Sequence, residues 1–183
     1  MSAQLQGSGP RSNAYSGSKF TNWTAYNPFD VEINAAFKRF DDRLPMRPQF
    51  PRIVVLPPLA PDFIHPCSRD QVEWRLKRME PQHIDGLRAV FLLAGTRKQQ
   101  RCWSSSLRCY GAYWRSCIFL CAHPFGVGYH YIDTIRDFYL DDVLVHEVAH
   151  HVDRFRDNSK DDKESFAYAY VQQKAASRKT PFL

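Results

Sequence analysis

The 183-residue chain predicts an α+β domain: a mixed, twisted sheet packed on one central helix, with a further helix near the C-terminus. Three observations carry this expectation. Short runs rich in β-branched and aliphatic residues, bounded by Pro or Gly, read as buried strands at 52–56 (RIVVL), 87–94 (LRAVFLLA) and 115–122 (RSCIFLCA). The segment between the first two carries a helical start signal. Two helical patterns, VLVHEVAHHVDRFRD at 143–157 and KESFAYAYVQQ at 163–173, follow the last strand.

Taken in order, residues 1–27 are rich in Ser, Gly, Asn and Gln and poor in aliphatics, so they read as a flexible arm. The domain proper is expected over 28–183. Asp30 is placed to cap a helix whose apolar residues Val31, Ile33, Ala36, Phe37 and Phe40 recur at roughly helical spacing. Pro45, Pro48 and Pro51 then enforce an extended connection to the first strand. Ser68 is a capping residue for a helix with Val72, Leu76 and Met79 on one face. Gly95 ends the second strand, and the polar, basic stretch 96–106 reads as a loop or rim. Residues 107–122 form either one long strand or a pair hinged at Gly111, with 110–114 the expected sheet edge.

The chemistry concentrates in His146-Glu147-Val148-Ala149-His150, an HExxH pattern. At about 100° per residue, His146 and His150 fall about 40° apart on a helix, so both imidazoles can reach one cation from successive turns. Glu147 projects to the side, within reach of a water on that cation. Leu144, Val148, Val152 and Phe155 form a stripe nearly opposite the histidines, which suits packing on a core. Neutral imidazole favours zinc, and three protein ligands plus one water is the open geometry of a catalytic zinc site. Glu147 would then act as general base. A solvated amphipathic helix is the plainer reading of the same pattern.

A third ligand is needed. Glu164 heads a face formed by Ala167, Tyr168, Val171 and Ala175, and Ala167 is small enough for two backbones to approach. Asp157, Asp161 and Asp162 are the other carboxylates within range.

HExxH followed by Glu164-Ser165-Phe166-Ala167 resembles the gluzincin metallopeptidases. More narrowly, HEVAHHVD followed by ESFAYAY is similar to the catalytic domain of anthrax lethal factor and the Pro-Pro endopeptidases, over about 30 residues. The resemblance implies a small zincin-like fold, with the sheet over an active-site helix and a C-terminal ligand helix. It implies zinc on His146, His150 and Glu164, and Glu147 as base. The family places an oxyanion-stabilising tyrosine seven residues before the ligand glutamate; this chain has Asp157 there. Tyr168, Tyr131 and His151 remain as oxyanion donors. The metzincin pattern fails, since it needs Gly at 153 and His at 156, where Asp153 and Arg156 stand. Asp153 falls on the histidine side of the helix and could orient a ligand or a basic partner. His123 and His130 are further imidazoles in the region.

The net charge of +6 is unevenly spread. Residues 67–115 hold ten Lys/Arg against four Asp/Glu, whereas 130–164 hold five against ten. The basic middle is compatible with an acidic or nucleic-acid partner, although no aromatic-interleaved groove or DNA-binding motif accompanies it. The five cysteines are odd in number and lack a CxxC pair, so buried thiols in a reducing compartment are expected rather than a disulfide framework. No apolar run of 18 residues and no leader-like segment is present, which points to a cytoplasmic location without a membrane span.

These features give one leading function and two rivals. The leading one is a zinc metalloendopeptidase acting on a protein or peptide. The rivals are a zincin-fold regulator that works through a protein or nucleic-acid partner, and a protease delivered into another cell as a toxin or effector.

Overall fold

The structure, a computed structural model, describes residues 28–58, 62–95, 109–124, 132–156 and 159–176. The arm at 1–27, the loop at 96–106, and His130, Tyr131 and Asp157 lie outside the described residues.

Helix α1 (Pro28–Phe40) opens the described chain. Proline at its first position suits a fixed φ and a missing N–H. Asp30 sits inside the first turn, where it meets the positive end of the helix dipole, rather than capping it. The buried face is Phe29, Ile33, Ala36 and Phe37. Val31 is 56% exposed: Phe29 is the residue in register with Ile33 and Phe37, and it displaces Val31 from the predicted stripe.

Strand β1 (Arg52–Val55), strand β3 (Ala89–Leu92) and strand β5 (Cys117–Leu120) run parallel, and strand β4 (Gly111–Trp114) pairs antiparallel to β5, giving the order β1-β3-β5-β4. The mixed sheet is therefore as expected, with β4 terminal. The register aligns Val54 with Phe91 and Phe91 with Phe119, and likewise Ile53 with Val90 and Val90 with Ile118. Because side chains alternate along a strand, these two rows face opposite sides. The first row packs on α1, where Phe91 and Phe119 stack at 4.9 Å. The second packs on helix α2 (Arg69–Lys77) and on the metal-motif helix. All four residues of β3 are buried, as a strand covered on both faces requires.

β4 and β5 are a hairpin, but its turn is not at Gly111. Arg115 and Ser116 carry φ of 49° and 58°, so a two-residue turn with both central residues left-handed joins the strands. Non-glycine residues at those angles give no sequence signal. The Arg115 guanidinium lies over Phe37 and Trp114, which helps hold the turn in place.

α2 begins with a capping box: Ser68 accepts from the Gln71 N–H and Gln71 returns the bond. Val72 and Leu76 are buried beneath it. Helix α3 (Pro81–Ile84) is a single turn after α2. A second, two-stranded sheet pairs β2 (Phe63–Ile64) with β6 (His123–Pro124).

The stretch leading into the metal motif is helical rather than a plain connection. Helix α4 (Ile132–Asp137) passes through a π-helical segment (Phe138–Val143) into helix α5 (Leu144–Val152). Wider turns of this kind recur beside functional sites. Helix α6 (Lys160–Ala176) follows and packs along α5. No helix among the described residues is long and apolar enough to cross a membrane.

Candidate metal centre

Helix α5 presents three faces. Leu144 and Val148 pack under the sheet, Val145 and Ala149 pack against α6, and His146 and His150 lie between. The contact with α6 is made by Ala167, Tyr170 and Val171. Ala167 is fully buried, as its small size predicts. Tyr170, not Tyr168, is the aromatic that enters this seam; Tyr168 is 43% exposed. The predicted stripe along α5 breaks at its end. The helix stops at Val152, so Phe155 leaves the helical wheel and is 86% exposed, with the Arg154 guanidinium 4.4 Å over its ring.

The seam brings Glu164 to the two imidazoles. His146 Nε2 and His150 Nε2 are 3.1 Å apart. One Glu164 carboxylate oxygen is 3.3 Å from His146 Nε2 and the other is 3.6 Å from His150 Nε2. Zinc bonds of about 2.0–2.1 Å set the edges of a regular tetrahedron at about 3.3–3.4 Å. The 3.1 Å and 3.3 Å separations are close to such an edge, while the 3.6 Å contact of His150 runs to the other carboxylate oxygen; the cluster is near the size a tetrahedral ion needs, and two imidazoles with one carboxylate are a donor set that suits zinc. Asp161 and Asp162 are exposed, and Asp162 is engaged with Ser159 in capping α6. Glu164 is thus the carboxylate that meets the histidines among the described residues.

Burial pushes the His150 imidazole down to about 4, assisted by the charge of His146 and opposed by Glu164 and Asp153. It is neutral at physiological pH, the form that donates to a cation. For His146, burial lowers the pKa, but the Glu164 hydrogen bond and the charges of Glu147 and Glu164 outweigh it, and the net shift is upward.

Glu147 is 5% exposed, and burial pushes its carboxyl up to about 8; the His146 charge opposes this, while Cys109 and Glu164 add to it. Its Oε2 is buried without a hydrogen-bond partner, a costly state for an acceptor unless something arrives to meet it. A dication nearby would draw the carboxyl toward its ionised form. Glu147 fits where it does because β4 has Gly111 above it: a Cβ there would stand 3.1 Å from both Cγ and Oε1 of Glu147.

Tyr168 sets its ring edge-on to His146, with centroids 5.2 Å apart, at the exposed side of the site. His151 turns away. Its Nδ1 meets the Tyr113 hydroxyl at 3.1 Å and its Nε2 the Asp85 carbonyl at 2.9 Å. With both nitrogens engaged in a fully buried setting, it is not available to an oxyanion. Asp153 caps the end of α5 and pairs with Arg156 at 3.3 Å, and its charge also reaches His150. His123 lies in β6, with Nδ1 2.8 Å from the Pro124 carbonyl, outside the His146–His150–Glu164 group.

Sequence reasoning missed Gly111 as a spacer, although a glycine inside a strand is a signal of close backbone approach. It also missed the α3 contacts of α6, for which the sequence carries no signal. No family model, no curated protein and no solved structure matches this chain.

Proposed function

We propose that the chain is a zinc-dependent metalloendopeptidase of the HExxH…E type, with a zincin-like arrangement of sheet, motif helix and ligand helix. The observation that carries this reading is the cluster of His146 Nε2, His150 Nε2 and the Glu164 carboxylate, with 3.1 Å between the nitrogens and 3.3 and 3.6 Å from them to one and the other carboxylate oxygen. A zinc ion held there would supply a Lewis acid for a scissile carbonyl and would lower the pKa of its water to about 7.

The protein's own groups do the rest. Glu147 stands one residue from a ligand with a buried, unmatched oxygen; it takes the proton of the attacking water and passes it to the leaving amine. The phenol of Tyr168, next to His146, is the donor assigned to the developing oxyanion. Strand β4, at the end of the sheet among the described residues, packs against α5, and main-chain pairing along its outer edge would hold an extended peptide.

The test is direct. The purified, untagged protein should carry about one zinc per chain and cleave members of a peptide library, with loss on chelation and return on adding zinc. Metal binding without any cleavage would favour a regulator built on the same centre. That second reading draws on Asp157, which stands where the family has its oxyanion tyrosine.

A further inference from the structure

The turn from Glu80 to Asp85 grips both helices that carry the metal-facing residues. At one end, the Asp85 carbonyl accepts from His151 Nε2 at 2.9 Å and from Arg154 Nη2 at 3.0 Å, both at the C-terminal end of α5. At the other end, the Tyr170 hydroxyl of α6 meets His83 Nδ1 at 2.7 Å, and His83 Nε2 lies 3.2 Å from Glu80 Oε2. Lys174, one turn further along α6, pairs with the same Glu80 carboxylate. Met79, just before the turn, packs into the seam between α5 and α6.

We propose that this six-residue turn, Glu80 to Asp85, is a positioning bracket for the metal centre: it fixes α6 against α5 so that Glu164 is held at the distance the two imidazoles require. The inference rests on the metal-site reading and extends it to residues that touch no ligand atom.

The argument is mechanical. His146 and His150 share one helix, so their separation is set by α5 alone. Glu164 is on another helix, and its approach depends on how the two helices are held. The seam of Val145, Ala149, Ala167 and Val171 is apolar, and apolar packing is non-directional. Directional bonds supply the orientation that such packing leaves open. Tyr170 is 6% exposed and its hydroxyl bond to His83 is short and part-buried, so it carries most of the constraint. The Lys174–Glu80 pair is half-exposed at its acidic end and contributes less. Because the bracket grips α5 and α6 from one short segment, a movement of either helix is resisted by a bond to the other.

The experiment uses the full chain and zinc itself. Tyr170→Phe removes one oxygen and keeps the ring in the seam. Zinc affinity is read by competition with a chromophoric chelator, and the ligand set by the visible absorption of the cobalt-substituted protein. Tyr170→Phe and His83→Ala are expected to weaken zinc binding by about 10–100-fold, the range for residues that orient ligands from behind, and to alter the cobalt spectrum. His83→Gln, whose amide oxygen can still accept from Tyr170, should recover most of the affinity. Val72→Ala, a buried residue of α2 on the sheet side, is the control: it lowers the melting temperature and leaves the affinity of the folded protein unchanged. Tyr170→Phe and His83→Ala with wild-type affinity and spectrum would overturn the bracket while leaving the metal centre intact. A wild-type protein that takes up no zinc or cobalt would overturn both.

Discussion

Gly111 on β4 and Glu147 on α5 occupy one shared space. A Cβ at position 111 would come within 2.6 Å of Val143 Cγ1 and 3.1 Å of Glu147 Cγ and Oε1. Edge strand and Glu147 are packed as closely as a residue without a side chain allows, so the sheet sets how far the carboxylate stands from β4. Gly111→Ala is expected to destabilise the fold by about 1–3 kcal/mol, the usual range for overpacking, and to lower peptide hydrolysis with zinc still bound. Adding Val143→Ala removes the tighter clash. Urea melts should then recover while hydrolysis stays low, because the contact with Glu147 persists. Full recovery of hydrolysis in the double variant would show that Gly111 matters to packing only.

Glu147→Gln separates metal holding from proton transfer. Zinc content should be unchanged and cleavage should fall by at least about 100-fold, as for loss of a general base. Metal analysis and turnover on the same preparation check it. Retained turnover would remove Glu147 from the reaction.

Glu164→Ala removes the one carboxylate that, among the described residues, α6 brings to the two imidazoles of α5. Zinc affinity should drop by several orders of magnitude on the proposed reading, and equilibrium dialysis measures it. Undiminished zinc binding would move the third ligand elsewhere in the chain.

The metal-free protein should show a stability maximum in mildly acid solution. Glu147 has a folded pKa raised from 4.5 to about 8 by burial. The folded state therefore holds a proton that the unfolded state releases, and stability falls as pH rises from 4.5 to about 8, by at most about 5 kcal/mol. His151 has a pKa lowered from 6.5 to about 4, chiefly by burial and against the Asp85 hydrogen bond. Here the unfolded state binds the proton first, so stability falls as pH drops from 6.5 to about 4, by about 3 kcal/mol. Urea titrations in chelator across pH 4–9 should show both limbs. Glu147→Gln should flatten the alkaline limb, and His151→Gln should make the acid one shallower without removing it, because buried His150, also lowered to about 4, feeds the same limb. A profile unchanged by either variant would disprove these assignments.

Much of this fold was legible because its signals are local. β3 is covered on both faces and its sequence is a continuous apolar run; α2 has a capping box and a matching face. The motif residues were legible because HExxH needs only helical geometry to bring two imidazoles together. Glu164 was one of four carboxylates by sequence, and what selects it is the α5–α6 seam, a long-range contact. The left-handed Arg115-Ser116 turn was hidden because neither residue type advertises positive φ. Phe155 was misplaced on the core stripe because helical periodicity says nothing about where a helix stops. Its exposure predicts that Phe155→Ser changes stability by no more than about 0.5 kcal/mol, which a thermal melt would check.

The buried thiols have a practical consequence. Burial pushes Cys67 and Cys117 up to about 12, and a hydrogen bond with Cys109, reinforced by burial, raises Cys121 well above its ordinary value. Alkylating reagents attack the thiolate, so these sulfurs are silent while the chain stays closed. Cys67 lies in the layer under the sheet with α2 and α5, and Cys109, Cys117 and Cys121 lie in the layer shared with α1. Timed labelling followed by peptide mass mapping would therefore clock the opening of each layer separately, using reporters the molecule already contains.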